Sequence, residues 1–217
     1  MSEIPVVPAD RPGIARAVAA LAAGRIVLHP TETVVSLSGD PESRAAVTAA
    51  RRIKGYDEPR PFLCLVFDAA AARALAGRWP PAAERLADRF WPGPLTLVLP
   101  VAEGVLPLVA RGRKLALRAA ADPVSRALVG AWGKAIFSTS ANRRRQAPAV
   151  EVAEAARRLA DAPGAGAIGL ALEEDPAGEV PADLPSTIVD VSADVPRLVR
   201  VGALGRRRLR EVVPELV

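Results

Sequence analysis

Several short stretches of this chain carry side chains able to hold anions. His29-Pro30-Thr31-Glu32-Thr33 follows the apolar run Ile26-Val27-Leu28, Lys54-Gly55-Tyr56 and Arg60 precede Phe62, and Arg118 closes Leu115-Ala116-Leu117. Ser138-Thr139-Ser140-Ala141-Asn142 follows Ala135-Ile136-Phe137, Ser186-Thr187 opens Ile188-Val189, and Arg200 closes Leu198-Val199. Hydroxyls donate and accept, while guanidinium and ammonium groups pair with carboxylates and phosphates. Together they suit a small zwitterion and a phosphate ester better than a greasy ligand. The single histidine, His29, stands before a proline and reads as structural rather than as a general base. No nucleophile–base pair, Walker-type phosphate loop or His-rich metal cluster is present in the sequence. The remaining route to catalysis is positioning and charge neutralisation. Residue by residue, blander readings stay open: Arg118 reads equally as a surface ion-pair partner, and Ser138–Ser140 as a helix N-cap.

These groups need a scaffold that brings strand ends together, since ligand sites in α/β sheets gather there. Apolar positions Ile14, Val18 and Leu21 predict a helix over 10–23, stopped by Gly24. Further helices are predicted over 41–54, 69–77, 81–90, 124–132 and 150–161, and a basic one from Leu204. Strands are predicted at 26–28, 62–67, 95–99, 115–117, 135–137, 187–191 and 197–201. Trp91-Pro92-Gly93-Pro94 forbids helix continuation and reads as a rigid turn. Residues 162–183, rich in Gly, Pro and Ala, read as a flexible loop. The uneven alternation predicts an α/β fold with a mixed, twisted sheet and flanking helices rather than a regular doubly wound array.

Composition narrows the class. The chain has 217 residues, half of them hydrophobic, so it can bury a sizeable core as one domain over 1–217. Its formal charge of +5 attracts nucleotides or RNA, although much of it is arginine on solvated helix faces. One cysteine, Cys64, lies in an apolar run, which excludes a disulfide within the chain and makes a cysteine metal site implausible. No apolar stretch approaches the roughly 20 residues needed to span a bilayer, and the N-terminus lacks a signal-peptide core. A cytoplasmic protein with no membrane partner is expected.

In order and spacing, the segments resemble the Sua5/YrdC/YciO family. The matching pieces are His29-Pro30-Thr31-Glu32-Thr33-Val34, Lys54-Gly55 with Pro61, Trp91-Pro92-Gly93-Pro94-Leu95-Thr96, and Leu115-Ala116-Leu117-Arg118. They continue with Ser138-Thr139-Ser140-Ala141-Asn142, Pro185-Ser186-Thr187-Ile188-Val189-Asp190 and Leu198-Val199-Arg200-Val201-Gly202, so the match covers about residues 10–205. The resemblance implies a YrdC-like sheet around a large basic cavity. It also implies a nucleotidyltransferase that makes threonylcarbamoyl-AMP and pyrophosphate from L-threonine, bicarbonate and ATP, for N6-threonylcarbamoyladenosine in tRNA. Thr33, Arg118, Ser138 and Ser186 would then hold threonine and its carbamate. Lys54, Arg60, Ser140, Asn142 and Arg200 would serve ATP, Arg118 and Lys54 would be catalytic, and Mg2+ would accompany the nucleotide. Implied partners are tRNA-modification proteins, with tRNA or double-stranded RNA drawn by the basic charge.

The chain departs from the family pattern at four places. Val35-Ser36-Leu37-Ser38 replaces the usual Tyr-Gly-Leu-Gly, and Tyr56 replaces an arginine two residues after the lysine. Leu65 stands where histidine is common, and Arg143-Arg144-Arg145 follows Ser-Ala-Asn. Two alternatives therefore accompany the synthase reading: a diverged paralogue acting on another carbamoyl-adenylate substrate, and a non-catalytic RNA-binding module.

Overall fold

Successive side chains of a strand point to opposite faces of its sheet, and this chain uses that alternation to make one face apolar and the other mixed. The computed structural model describes residues 3–174 and 184–217. Among these residues ten strands join in one sheet. They are β1 (Val6–Pro8), β2 (Ile26–His29), β3 (Ser36–Gly39), β4 (Leu63–Val66), β5 (Leu95–Pro100), β6 (Lys114–Ala119), β7 (Ile136–Ser140), β8 (Ile168–Glu173), β9 (Thr187–Asp190) and β10 (Arg197–Arg200). Their spatial order is β1-β8-β2-β3-β7-β4-β6-β5-β9-β10. The pairs β1–β8, β2–β8, β4–β6 and β5–β9 are parallel and the others antiparallel, so the sheet is mixed.

Among the described residues seven α-helices accompany the strands: α1 (Arg11–Ala22), α2 (Arg44–Lys54), α3 (Ala69–Leu75), α4 (Pro81–Phe90), α5 (Pro123–Trp132), α6 (Val152–Leu159) and α7 (Arg206–Arg210). Their ends follow local chemistry. Asp10 caps α1 by accepting from Gly13 N at 2.8 Å, and Asp122 caps α5 by accepting from Ser125 N at 2.8 Å. Gly55 ends α2 in the left-handed region at φ 66°, where a side chain would be strained.

One face of the sheet is a continuous apolar row. Leu28, Leu37, Phe137, Cys64, Leu117 and Leu97, one from each of six neighbouring strands, are fully buried beneath α2, α4 and α6. The opposite face is divided. Val27, Leu65, Ile136 and Leu170 pack against Ile14, Ala17 and Leu21 of α1 and Val124 and Leu128 of α5. Beyond that cover, the same face carries Ser36, Ser138, Arg118 and Thr96, which line an open hollow.

The structure corrects the sequence reading in several places. Residues 168–173, read as part of a flexible loop, form β8, the partner of both β1 and β2. Gly169 disguised it, yet that glycine lets α1 approach, since a Cβ there would come within 3.0 Å of Ala20. Residues 175–183 of that loop lie outside the described residues. Strands β1 and β3 were not expected at all. The C-terminal helix is confined to Arg206–Arg210, and packing extends beyond residues 10–205, because Ile4, Leu209, Val213 and Leu216 belong to the main core. The Trp91 turn holds, with Nε1 donating to Leu95 O at 2.6 Å across a cis Trp91–Pro92 bond.

Phe137 is the keystone of the apolar row. Its ring stacks on Phe62 at 5.3 Å between centroids, and a Cβ at Gly39 would meet it at 2.7 Å. Phe137→Ala is expected to lower unfolding free energy by about 3–5 kcal/mol in denaturant titration, as for large core truncations generally. A loss below about 1 kcal/mol would show that the six-strand row is not the stabilising core.

Candidate active site

Where α1 and α5 stop covering the mixed face, a cavity of about 590 Å3 opens, a size that admits a ligand larger than an amino acid. Its polar wall is built from strand positions and strand-end loops. Thr31 Oγ1 donates to Val34 O at 2.7 Å and accepts from Thr33 N and Val34 N, folding the loop after β2 back on itself. That turn sets Thr33 Oγ1 to accept from Arg118 Nη1 at 3.1 Å. Arg118, on β6, is 3% exposed. Its Nη1 faces Glu32 Oε1 at 3.8 Å, and its Nε has no partner. Burial works against its charge, while Glu32 and Asp122 support it.

A second cation approaches from β10. Arg200 donates through Nε and Nη2 to Ser186 O at 3.1 and 2.8 Å, and through Nη2 to Ser186 Oγ at 3.3 Å. Thr96 Oγ1 holds Ser186 Oγ at 2.8 Å from the neighbouring strand. The approach is possible because Gly202 has no side chain: a Cβ there would lie 2.0 Å from Pro185 O. Desolvation, then the charge of Arg118, work against the Arg200 charge. Two guanidinium groups thus share one hollow, which makes it a site for anions.

Thr33, Arg118, Ser138, Ser140, Ser186 and Arg200 all line this cavity, as their sequence positions implied. Lys54 and Asn142 stand behind the wall. Lys54 Nζ donates to Ser140 O at 2.7 Å, Ser140 Oγ at 3.1 Å and Asn142 Oδ1 at 2.8 Å, and it lies 3% exposed. Arg60 is not brought to the cavity. It is exposed, its guanidinium 5.2 Å over the Tyr56 ring, in an adjoining hollow shared with Arg51 and Arg111. Thr96 lines the cavity unforeseen, whereas Ser36 and Tyr56, which the sequence marks as departures near the site, form part of its wall. The alternation in Val35-Ser36-Leu37-Ser38 and Leu95-Thr96-Leu97 held the signal for the first two. The Arg143–Arg145 loop is exposed. Another hollow of about 560 Å3, between Phe67, Leu75 and Val129, is mainly apolar and has no comparable set of hydroxyls.

The Sua5/YciO/YrdC family model, described as "Telomere recombination", matches residues 19–202. The chain belongs to this family. It is 40% identical over 162 residues to a protein of Halorhodospira halophila named threonylcarbamoyl-AMP synthase, covering 72% of this chain and 82% of that one. A Bacillus subtilis protein of the same name is 30% identical over 208 residues, which are 93% of this chain and 57% of that protein. The solved structure of Pyrococcus abyssi Sua5 complexed with L-threonine superposes with a TM-score of 0.85 at 28% identity, covering all of this chain and 63% of that one. The chain therefore spans somewhat less than two thirds of the Bacillus and Pyrococcus proteins. Escherichia coli YciO shares the fold, with a TM-score of 0.79 at 22% identity.

Among the described residues no group of three or more His, Cys, Asp or Glu side chains is placed to hold a metal ion. No helix among the described residues is long and apolar enough to cross a membrane.

Lys54 offers a direct check of this geometry. Its three partners are neutral oxygens, and burial lowers its pKa from 10.5 to about 8. Above pH 8 the unfolded chain keeps a proton that the folded chain releases. Stability therefore gains a rising contribution with pH between about 8 and 10.5, at most about 1.4 kcal/mol per unit. Lys54→Met should remove that slope in urea titrations at pH 8 to 9.5. An unchanged slope would mean that Lys54 is hydrated and ordinary.

Proposed function

We propose that this protein is a threonylcarbamoyl-AMP synthase, a nucleotidyltransferase using L-threonine, bicarbonate and ATP. The observation that carries the reading is the convergence of the Arg118–Thr33 and Arg200–Ser186 pairs on one cavity of nucleotide size. It is supported by relatives bearing that name and by the L-threonine complex of the Pyrococcus protein.

In this reading Arg118 pairs with the threonine carboxylate, and Thr33, Ser138 and Ser186 surround its amine and carbamate. The amine nitrogen bonds to the carbon of CO2 derived from bicarbonate and loses a proton, giving a carbamate. A carbamate oxygen then bonds to the α-phosphorus of ATP as the bond to the pyrophosphate leaving group breaks. Ser140 and Arg200 hold the nucleotide end, Arg200 offsetting negative charge that develops there. Asn142 and Lys54 brace the Ser140 loop, and Lys54 reaches phosphate by exchanging one of its oxygen partners. Arg60 serves the nucleotide only if it leaves its place over Tyr56. Mg2+ bound with ATP would help to neutralise the triphosphate charge beside Arg200 and Ser140. The product serves tRNA modification in the cytoplasm through partner proteins.

Pyrophosphate release from ATP should depend on both L-threonine and bicarbonate. Arg118→Ala should lower kcat/KM for threonine on the order of 100-fold, about 3 kcal/mol, as expected for a buried charge partner, with a melting curve to confirm folding. Release with another amino acid but not threonine would identify a diverged amine substrate. Absence of release, with tight and salt-sensitive RNA binding, would replace the enzyme by an RNA-binding module.

A further inference from the structure

A serine hydroxyl ordinarily rotates to donate or accept as its partner requires. Ser138, on the cavity wall, has no such freedom, and the reason lies four groups away. Pro30 O is a carbonyl and can only accept. Ser125 Oγ lies 2.8 Å from it, so the one Ser125 proton goes to that carbonyl. His29 Nδ1 is 2.9 Å from the same oxygen and 3.1 Å from Ser125 Oγ. Both contacts call for a proton on Nδ1, and the opposite tautomer would set lone pairs against each other. The ring is completely buried, and burial brings its pKa down to about 4, so it is neutral near pH 7. Nε2 is then bare and must accept.

From Nε2 each link follows from the last. Ser38 Oγ, 2.9 Å from Nε2, spends its proton there. Ser36 Oγ, 2.9 Å from Ser38 Oγ, donates to it. Ser138 Oγ, 2.6 Å from Ser36 Oγ, donates in turn. The hydroxyl proton of Ser138 therefore points into the sheet, leaving only lone pairs for the cavity. Ser36 and Ser38 occupy ordinary strand positions opposite β2 and β7, so the serines occupy regular sheet geometry.

We propose that Pro30 O, His29, Ser38 and Ser36 form a polarity lock that makes Ser138 an obligate acceptor, selecting ligands that present an N–H at that point. Arg118 supplies donors on the same wall, so the cavity distinguishes the two ends of an amino acid: a carboxylate goes to Arg118, an ammonium or carbamate N–H to Ser138. That last identification rests on the synthase reading, whereas the lock itself does not. His29, Ser38 and Ser36 act through Ser138 and are positioning residues.

His29 is the only histidine, so imidazole 15N correlation spectra of the labelled protein are unambiguous. The expected spectrum between pH 6 and 8 shows a neutral ring protonated on Nδ1 with a bare Nε2. A proton on Nε2, or a charged ring, overturns the lock. Ser38→Ala cuts the chain away from the cavity and frees both remaining hydroxyls to rotate. It should raise KM for threonine about fivefold, the cost of fixing a freed side chain on binding, while KM for ATP stays within about twofold. Ser38→Thr, which keeps the hydroxyl, should restore most of the loss. An unchanged threonine KM, or equal losses for both substrates, overturns the proposal. A wild-type protein with no threonine-dependent turnover would sink the synthase reading instead, and the histidine spectrum alone would then decide the lock. The same spectrum decides it if the Ser38 variant does not fold.

Discussion

The site depends on a constraint set far beneath it: six adjacent strands each send one fully buried apolar side chain to the same face. Because Leu28, Leu37, Phe137, Cys64, Leu117 and Leu97 form that face, the residues between them must face the other way. Helices α1 and α5 cover only part of that second face. What remains uncovered is free to carry serines, threonines and arginines. An arginine as buried as Arg118 is costly to desolvate, and a sheet already sealed on its far side can tolerate that cost. The same alternation that builds the core therefore also aims the polar groups.

The electrostatics follow from how sparsely those cations are paired. Lys54 meets only neutral oxygens, Arg200 holds a serine and its carbonyl, and Arg118 has one carboxylate at 3.8 Å with an unused Nε. Buried cations paired tightly with carboxylates would present little field to a ligand. Arg118, buried on the cavity wall, and Arg200, at its exposed rim, retain theirs toward the hollow. Neutral partners fix the orientation of the groups without cancelling their charge. That combination suits the proposed reaction, in which a carbamate displaces pyrophosphate.

Much of this was legible in the sequence because strand ends announce themselves. Thr33 after Leu28, Arg118 after Leu117, Ser138 after Phe137 and Arg200 after Val199 each follow an apolar run, and all four line the cavity. Lys54 is the counterexample. It closes a helix, and helix position alone did not reveal that its ammonium turns behind Ser140 rather than into the hollow. Strand β3 was obscured because two of its four residues are buried serines, which read locally as a turn. Strand β8 was hidden by glycine and alanine, whose strand propensity is weak and whose place is set by packing against α1.

The departures from the family pattern separate into those that touch the cavity and those that do not. Leu65 packs under α5 with Val27 and Leu128, in the covered part of the mixed face. Tyr56 does line the hollow, and Arg60 stacks on its ring from the adjoining side. The positive charge expected two residues after Lys54 is thus displaced behind an aromatic wall rather than removed from the region. Ser36 and Ser38 are the most consequential departures, because a glycine has no hydroxyl to pass on. With glycine at either position the string from His29 would be broken, and Ser138 would rotate to suit whatever ligand arrived. With serine at both, a buried histidine that touches no substrate fixes the direction of a hydrogen bond at the cavity wall. Fold and specificity meet in β3, whose one apolar face holds the core while its polar face sets what the site accepts.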